Sequence, residues 1–318
     1  MSRVAVDPSR PVERAGGRLA ALVQAVPEPP DAGRLSFAAV HPRRVDSATL
    51  DVLGELLAVQ RRLEDSAGTA AVVPMVRPQM QSVRTLVRES RGALRPRVLS
   101  VASQWAQFAG WLNAAIDNPR TAKKRYAEAG EWAAEAGDQD MIATALSMRG
   151  HLAWQARQPG PLMELSAAAR ACQASPGIRA LAAQQEAQGH ALAGQAVEAD
   201  RLLGEAAELA QATSTRPSWI YFHNDAYLDM QRGLAHLFLG RAESAADLLA
   251  DGLGRLPAES RRAEWAATYL VYLAEAYRSL GEFDAATGKR RRPRHSSAHP
   301  ARRMPSTTFP CCSRTTPR

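Results

Sequence analysis

Cysteine is scarce in this chain, and its few positions exclude several kinds of site. Only three cysteines occur among 318 residues; Cys172 stands alone, and Cys311 and Cys312 are adjacent. This spacing provides neither a disulfide framework nor the CxxC or His/Cys groups of a zinc site. We therefore expect no structural metal and no cofactor.

Long apolar runs and the short motifs of catalysis are missing as well. No stretch reaches the roughly 18 uninterrupted apolar residues of a membrane span, and the first residues lack the apolar run of a secretory signal. Neither a GxSxG elbow nor a GxxxxGK[ST] or GxGxxG phosphate loop is present. The sequence indicates a cytoplasmic protein with no membrane partner and no enzyme activity.

The basic excess of the chain lies in one segment. The formal charge is +8, yet no acidic residue follows Asp284, and the rest of the chain is about neutral. Residues 287–318 are rich in Arg, Pro, Ser and Thr, so we predict a disordered basic tail. Its Arg-rich part makes weak, nonspecific and salt-dependent nucleic-acid binding an alternative function. Because the tail begins abruptly inside a repeat, a frameshift product is the favoured origin.

The first 95 residues are predicted to be a linker in two parts. Residues 1–45 contain many prolines and are expected to be mostly disordered, apart from a short helix over 17–26. Asp46 is a candidate N-cap, followed by leucines at helical spacing, and a second helix is predicted over 76–90. Residues 46–95 therefore form a predicted helical linker region.

From residue 96 onward the pattern repeats about every 40 residues. His236 and Tyr277 each lie four positions before a glycine and nine before an alanine. The repeat predicts five helix pairs over 96–286, the last incomplete. The equivalent position in the successive pairs is occupied by Asn113, His151, His190, His236 and Tyr277. Ala, Leu, Glu, Gln and Arg dominate, which favours helices over strands. The sequence predicts an all-α, right-handed helical-repeat solenoid with disordered ends.

Turn and cap residues support the helix pairs. Four glycines are placed where a left-handed residue would end a helix, namely Gly137, Gly194, Gly240 and Gly281. Small residues in the second helices, Ala122, Ala199 and Ala245, would let paired helices approach closely. Asn118 and Ser175 each precede a proline, which predicts helix N-caps.

This pattern resembles the tetratricopeptide repeat family. One repeat carries the matching residues Gly233, His236, Gly240, Ala245, Leu249 and Pro257, and another carries Gly110, Ala122, Tyr126 and Ala129. The resemblance covers roughly 190 residues and implies a TPR-like fold. The usual tryptophan of the first helix is missing from most repeats.

Segments 43–68, 104–112 and 175–194 look like the sensor region of actinobacterial Xre-type helix-turn-helix transcriptional regulators. The resemblance implies a sensor that biases a DNA-binding head. No helix-turn-helix pattern precedes Asp46, so we expect a truncated remnant or an internal start, with DNA bound only through the missing head or weakly through the tail.

The first helix of each pair should line the concave face of the solenoid, where a peptide or protein partner would bind. Residues on that face outside the packing register are the candidate ligand-binding residues: Trp111, Arg149, Gln184, Gln188, Gln231, Tyr272, Glu275 and Arg278. A general protein-interaction scaffold is a further alternative, and the exposed ends of the array would allow a homodimer.

Histidines and tryptophans of the repeats are interpreted mainly as packing residues. His151, His190 and His236 recur at equivalent positions, which favours ring packing between repeats over a metal site or general base. All six tryptophans lie between residues 105 and 265. Most are expected to fill the core, with a minority lining a peptide groove.

Overall fold

A computed structural model describes residues 29–212, 217–258 and 260–281 of the chain. Within these ranges the protein contains twelve α-helices and no β-strand. The helices are α1 (Pro29–Val40), α2 (Ser47–Ala67), α3 (Thr69–Glu89), α4 (Arg95–Ala115), α5 (Pro119–Ala136), α6 (Gln139–Gln155), α7 (Pro159–Ala171), α8 (Pro176–Leu192), α9 (Ala196–Gln211), α10 (Asp225–Phe238), α11 (Ala242–Arg255) and α12 (Glu264–Ser279). The predicted helix over 17–26 and the basic tail lie outside the described residues.

The start of α2 was predicted correctly, whereas the predicted start of α3 was wrong. Asp46 caps α2, because its carboxylate accepts the N–H of Thr49 at 2.8 Å. The helix predicted over 76–90 begins earlier, at Thr69, with Pro74 and Pro78 inside it. Its buried face runs past both prolines, and burial of that face offsets a cost of about 3 kcal/mol for each proline.

From α4 to α12 the helices form two layers. Each helix packs against its neighbours in sequence, and α4, α6, α8, α10 and α12 also contact one another in order. These five helices form the inner layer, and α5, α7, α9 and α11 form the outer layer. This arrangement is an all-α, TPR-like helical-repeat solenoid, as predicted.

Close contacts within a helix pair depend on small residues at predicted positions. A Cβ atom on Gly110 of α4 would overlap the ring of Tyr126 on α5. Ala122, Ala199 and Ala245 are completely buried. Because glycine and alanine are so small, the paired helices can approach closely, and the ring of Tyr126 fills the space beside Gly110.

Turns between helices use the left-handed backbone conformation. The four predicted turn glycines have φ between 72° and 75°. In two further turns Asp117 and Arg157 take this conformation, with φ of 56° and 55°. Arg157 thus has the backbone conformation that glycine has in the four predicted turns.

The two proline-linked caps differ. The Asn118 side chain accepts the N–H of Thr121 at 3.3 Å, which confirms that cap. Ser175 is the N-cap of α8 but its hydroxyl forms no cap hydrogen bond, so that prediction was wrong in detail. Its N–H instead donates to Oδ1 of Asp140 at 2.5 Å, which holds the residue against α6.

The turn between α2 and α3 contacts the start of α12. The N–H of Thr69, at the start of α3, donates to Oε2 of Glu264 at the start of α12, at 3.2 Å. Helices α2 and α3 also share one apolar core with α4. The division of the chain at residue 95 stays a prediction.

In the described ranges, every helix is too short or too polar to cross a bilayer.

Candidate functional site

The concave side of the solenoid encloses one large cavity. Its empty space is about 1100 Å³, counting the part open to solvent. The walls come from α2, all five inner-layer helices and the segment 219–222 before α10. The predicted concave face is therefore a pocket with walls on several sides.

Aromatic side chains dominate the cavity wall. Nine of the chain's 18 Phe, Tyr and Trp residues line it: Phe108, Trp111, Trp154, Trp219, Tyr221, Phe222, Tyr227, Trp265 and Tyr269. The rings support one another at angles typical of aromatic clusters, as where Trp265 meets Tyr269 edge-on at 6.1 Å. Half of the aromatic residues thus surround a single space.

His151 lies between two indoles of this wall. Its ring is 5.3 Å from that of Trp154 in a stacked arrangement and 5.8 Å from that of Trp111 on α4. Burial lowers the pKa of His151 to about 4, so the imidazole is neutral near pH 7. The stacking agrees with the predicted ring packing, but the side chain also faces the cavity.

The other two repeat histidines lie apart from the cavity wall. His190 contacts the amide oxygen of Gln195, and Nδ1 of His236 lies 2.7 Å from Oγ of Ser244. Each of these pairs joins a first helix to the turn or helix that follows. The three histidines therefore do not converge on one site.

A row of amide and hydroxyl groups crosses the inner layer. Gln188 of α8 donates to Oε1 of Gln231 on α10, and Gln231 donates through Nε2 to the hydroxyl of Tyr269 on α12 at 2.5 Å. Burial raises the pKa of the neighbouring Tyr227 to about 12, so this hydroxyl also remains a donor at neutral pH. This row fixes the spacing of three helices along the cavity.

One cation reaches the cavity from α2. The guanidinium of Arg61 is only 5% exposed; its Nη2 donates to the backbone O of Gln104 at 3.4 Å and to Oε1 of Gln107 at 3.3 Å. Its Cζ lies 5.8 Å from the ring centre of Phe108. Burial lowers the pKa of Arg61 to about 10, well above neutrality, so the side chain remains charged.

Two carboxylates follow Arg61 on α2 and take part in contacts between α2 and the later part of the chain. Asp65 accepts hydrogen bonds from the hydroxyl of Tyr221 and, at 3.1 Å, from Nε1 of Trp265. Oε1 of Glu64 accepts the Thr69 hydroxyl at 2.8 Å. Burial raises the pKa of both carboxyls. We call the contacts of α2 and Thr69 with Tyr221, Glu264 and Trp265 the seam.

Comparisons with known proteins assign no family. No family model matches the chain, and no curated protein matches it. One similar solved structure is BtubC (BKLC) from P. vanneervenii, with 15% identity over 73% of this chain and 97% of that chain and a TM-score of 0.47. Another is the Rap protein complexed with Competence and Sporulation Factor, with 15% identity over 89% and 75% of the two chains and a TM-score of 0.49.

The structure brings together three of the eight predicted ligand-binding residues. Trp111, Gln188 and Gln231 line the cavity. Gln184 is buried between α8 and α10, where its Nε2 donates to the backbone O of Leu228 at 3.2 Å. Tyr272 lies behind the wall, with its ring 6.1 Å from that of Trp154.

The remaining three predicted residues lie away from the cavity. Arg149 and Glu275 are half-buried, Arg278 is exposed, and none of them lines the wall. A ligand-binding role for any of the eight stays a prediction. Choosing residues from the first helices thus placed three of the eight side chains at the cavity and five elsewhere.

Sequence reasoning missed the α2 residues and most of the aromatic wall. All six tryptophans belong to the apolar core clusters or pack against them. Four of the six also line the cavity, so the expectation that only a minority would do so was wrong. One signal was available. The segment from Trp219 to Tyr227 holds four aromatic residues in nine positions, although the chain is only 6% aromatic.

Proposed function

We propose that this chain is the ligand-binding sensor module of a transcriptional regulator and that its effector is a short peptide held in the cavity. The aromatic cavity on the concave face carries the proposal. Apolar walls with a few polar groups are typical of ligand sites in soluble proteins.

The size of the cavity supports a small effector. Its empty space of about 1100 Å³ includes the part open to solvent, so the enclosed part is smaller than this figure. A folded partner does not fit into such a space, so a protein partner would have to present a short segment. This favours a peptide over a whole protein.

Amide side chains on the cavity wall support a peptide backbone as the occupant. Gln185, Gln188 and Gln231 line the cavity among the rings. The amide group of glutamine can donate to a peptide carbonyl oxygen and accept from a peptide N–H.

We further propose that the site binds and does not catalyse. Two titratable groups that face the cavity are held in structural contacts: His151 lies between two indoles, and Asp65 accepts the hydrogen bonds of the seam. A regulator needs a rigid site of this kind so that ligand binding changes the rest of the protein. Because the walls include both α2 and α12, a ligand contacts helices from both ends of the array, which provides a physical basis for coupling to a second site.

Binding is tested with a pentapeptide library and a blocked variant. Tryptophan fluorescence and thermal unfolding are measured for the full chain, since four indoles line the cavity and a ligand stabilises the folded state. Thr268→Trp places a large ring at the exposed edge of the cavity and should abolish both responses. Val197→Trp adds the same ring on α9, outside the cavity, where the side chain is 85% exposed, and should bind normally.

Two outcomes would contradict the proposal. The first is that no pentapeptide shifts the melting temperature of the wild-type chain; the second is that both tryptophan variants bind equally well. The regulatory part is tested by transcript profiling in the organism that encodes the protein. The Thr268→Trp allele should change the same transcripts as a deletion, whereas Val197→Trp should change none.

A further inference from the structure

Arg61 is the buried cation of the cavity, and its contacts leave much of its hydrogen-bonding capacity unused. Only Nη2 donates within the described chain, through two long bonds of 3.3 and 3.4 Å. For Nε and Nη1 the described residues offer no acceptor at hydrogen-bond distance. An arginine carries five N–H donors in a planar fork, so the greater part of this fork has no protein partner.

Nearby acids do not neutralise this guanidinium. Glu64 and Asp65 lie three and four positions further along α2, but their oxygens accept hydrogen bonds from Thr69, Tyr221 and Trp265. Of the carboxylates in the described ranges, none forms an ion pair with Arg61. A buried charge without a partner destabilises the fold, which indicates that the charge is retained for another purpose.

The surroundings of Arg61 separate a polar end of the cavity from an apolar one. The guanidinium lies near the ring of Phe108, and Gln107 fixes it from the same helix. Beyond Phe108 the wall continues with the indoles of Trp111 and Trp154. A ligand with an apolar body along these rings would place one end at Arg61.

We propose that Arg61 binds the carboxylate of the effector, so that the cavity selects ligands with an apolar body and one acidic end. The planar fork of arginine matches a carboxylate through two parallel hydrogen bonds, and such charge-assisted bonds are stronger than neutral ones. The inference rests on the proposed function, because it assigns the chemistry of the ligand that the cavity holds. The acid could be the C-terminus of a peptide or the head group of a small amphiphile.

Matched pairs of probes test this assignment on the full chain. One pair consists of the same pentapeptide library with free or amidated C-termini. The other is 1-anilinonaphthalene-8-sulfonate and N-phenyl-1-naphthylamine, which share an aromatic body but differ in the anionic group. Wild-type protein should prefer the anionic member of at least one pair by roughly tenfold or more, the ratio expected for a charge-assisted hydrogen bond.

Arg61→Gln should remove that preference, whereas Arg62→Gln should keep it. Arg62 is the next residue of α2 and is exposed, so its replacement makes the same change in net charge outside the cavity. Circular dichroism establishes that each variant is folded. If Arg61→Gln is not, Arg61→Lys carries the test, because it keeps the charge but loses the fork and should reduce the preference.

The outcomes separate the two proposals. Loss of preference for free-acid peptides assigns the carboxylate to a peptide C-terminus, and loss for the naphthalene pair alone assigns it to a small acidic amphiphile; both support the role of Arg61. Binding of neutral and anionic probes with equal affinity overturns that role and leaves the cavity as a binding site. If all four probes fail to bind, the proposed function is overturned as well.

Discussion

Nε1 of Trp265 donates a hydrogen bond of 3.1 Å to Oδ1 of Asp65, although 200 positions separate the two residues. The same carboxylate accepts the hydroxyl of Tyr221. One side chain of α2 thus binds two elements from the far end of the repeat array. All three side chains also line the cavity, so the seam and the candidate site share their residues.

Trp265→Phe should weaken the seam and still leave an aromatic ring in the cavity wall. Loss of the indole hydrogen bond should lower the free energy of unfolding by about 1 kcal/mol, measured by urea denaturation. A double-mutant cycle with Asp65→Asn should give a coupling energy of about 0.5 kcal/mol or more. Trp132→Phe, at a half-buried indole of α5 outside the seam, is the control. Additive effects at positions 65 and 265 would contradict this account.

His151 should make stability depend on pH between about 4 and 6.5. Because burial lowers the pKa of the folded imidazole to about 4 from 6.5, the unfolded chain takes up the proton at higher pH. The stability contribution is complete above pH 6.5 and is lost as pH falls, by up to about 3 kcal/mol at pH 4. Urea denaturation from pH 4 to 7.5 should show a smaller slope for His151→Phe. Trp132→Phe, which replaces a side chain that does not titrate, should keep the wild-type slope.

Two helical glycines should respond to alanine in opposite directions. Gly110→Ala should lower the melting temperature, since the added Cβ overlaps the ring of Tyr126 and overpacking costs about 1–3 kcal/mol. Gly204→Ala, at an exposed position of α9 with nothing within 4 Å of the added atom, should stabilise the chain by up to about 1 kcal/mol. Equal effects would show that helix propensity, and not packing, decides both.

Removal of two tyrosine hydroxyls should change the free energy of unfolding in opposite directions. The hydroxyl of Tyr126 is completely buried, and no described group bonds to it, so Tyr126→Phe should raise the free energy of unfolding by about 1 kcal/mol. Tyr269 accepts the hydrogen bond of Gln231 at 2.5 Å, and Tyr269→Phe should lower that free energy by a similar amount. A loss of stability in Tyr126→Phe would indicate that this hydroxyl has a bonding partner.

The repeat fold could be predicted because its determinants are local. Turn glycines such as Gly194 and close-packed alanines such as Ala199 recur at fixed spacing, and each acts within one helix pair. The start of α3 could not be predicted in this way. Pro74 and Pro78 are local signals against a helix, and they are outweighed by burial of α3 against α2 and α4, which the local pattern does not report.

The site was harder to predict because its residues come from distant parts of the chain. Periodicity assigned the concave face to the first helices, and three residues chosen on that basis, Trp111, Gln188 and Gln231, line the cavity. It could not place Arg61, which contacts Gln104 and Gln107 only after α2 folds against α4. A tryptophan at helical spacing also fits a core or a cavity equally well, so the pattern alone could not distinguish them.

The seam changes how this chain should unfold. A linear repeat array can fray, losing terminal helices one by one, because each repeat contacts only its neighbours. Here release of α12 breaks its bonds to Asp65 and Thr69, so amide hydrogen exchange should report one cooperative opening in place of graded protection. Joining residues about 200 positions apart also carries a loop-closure entropy, which makes the seam a late contact in folding.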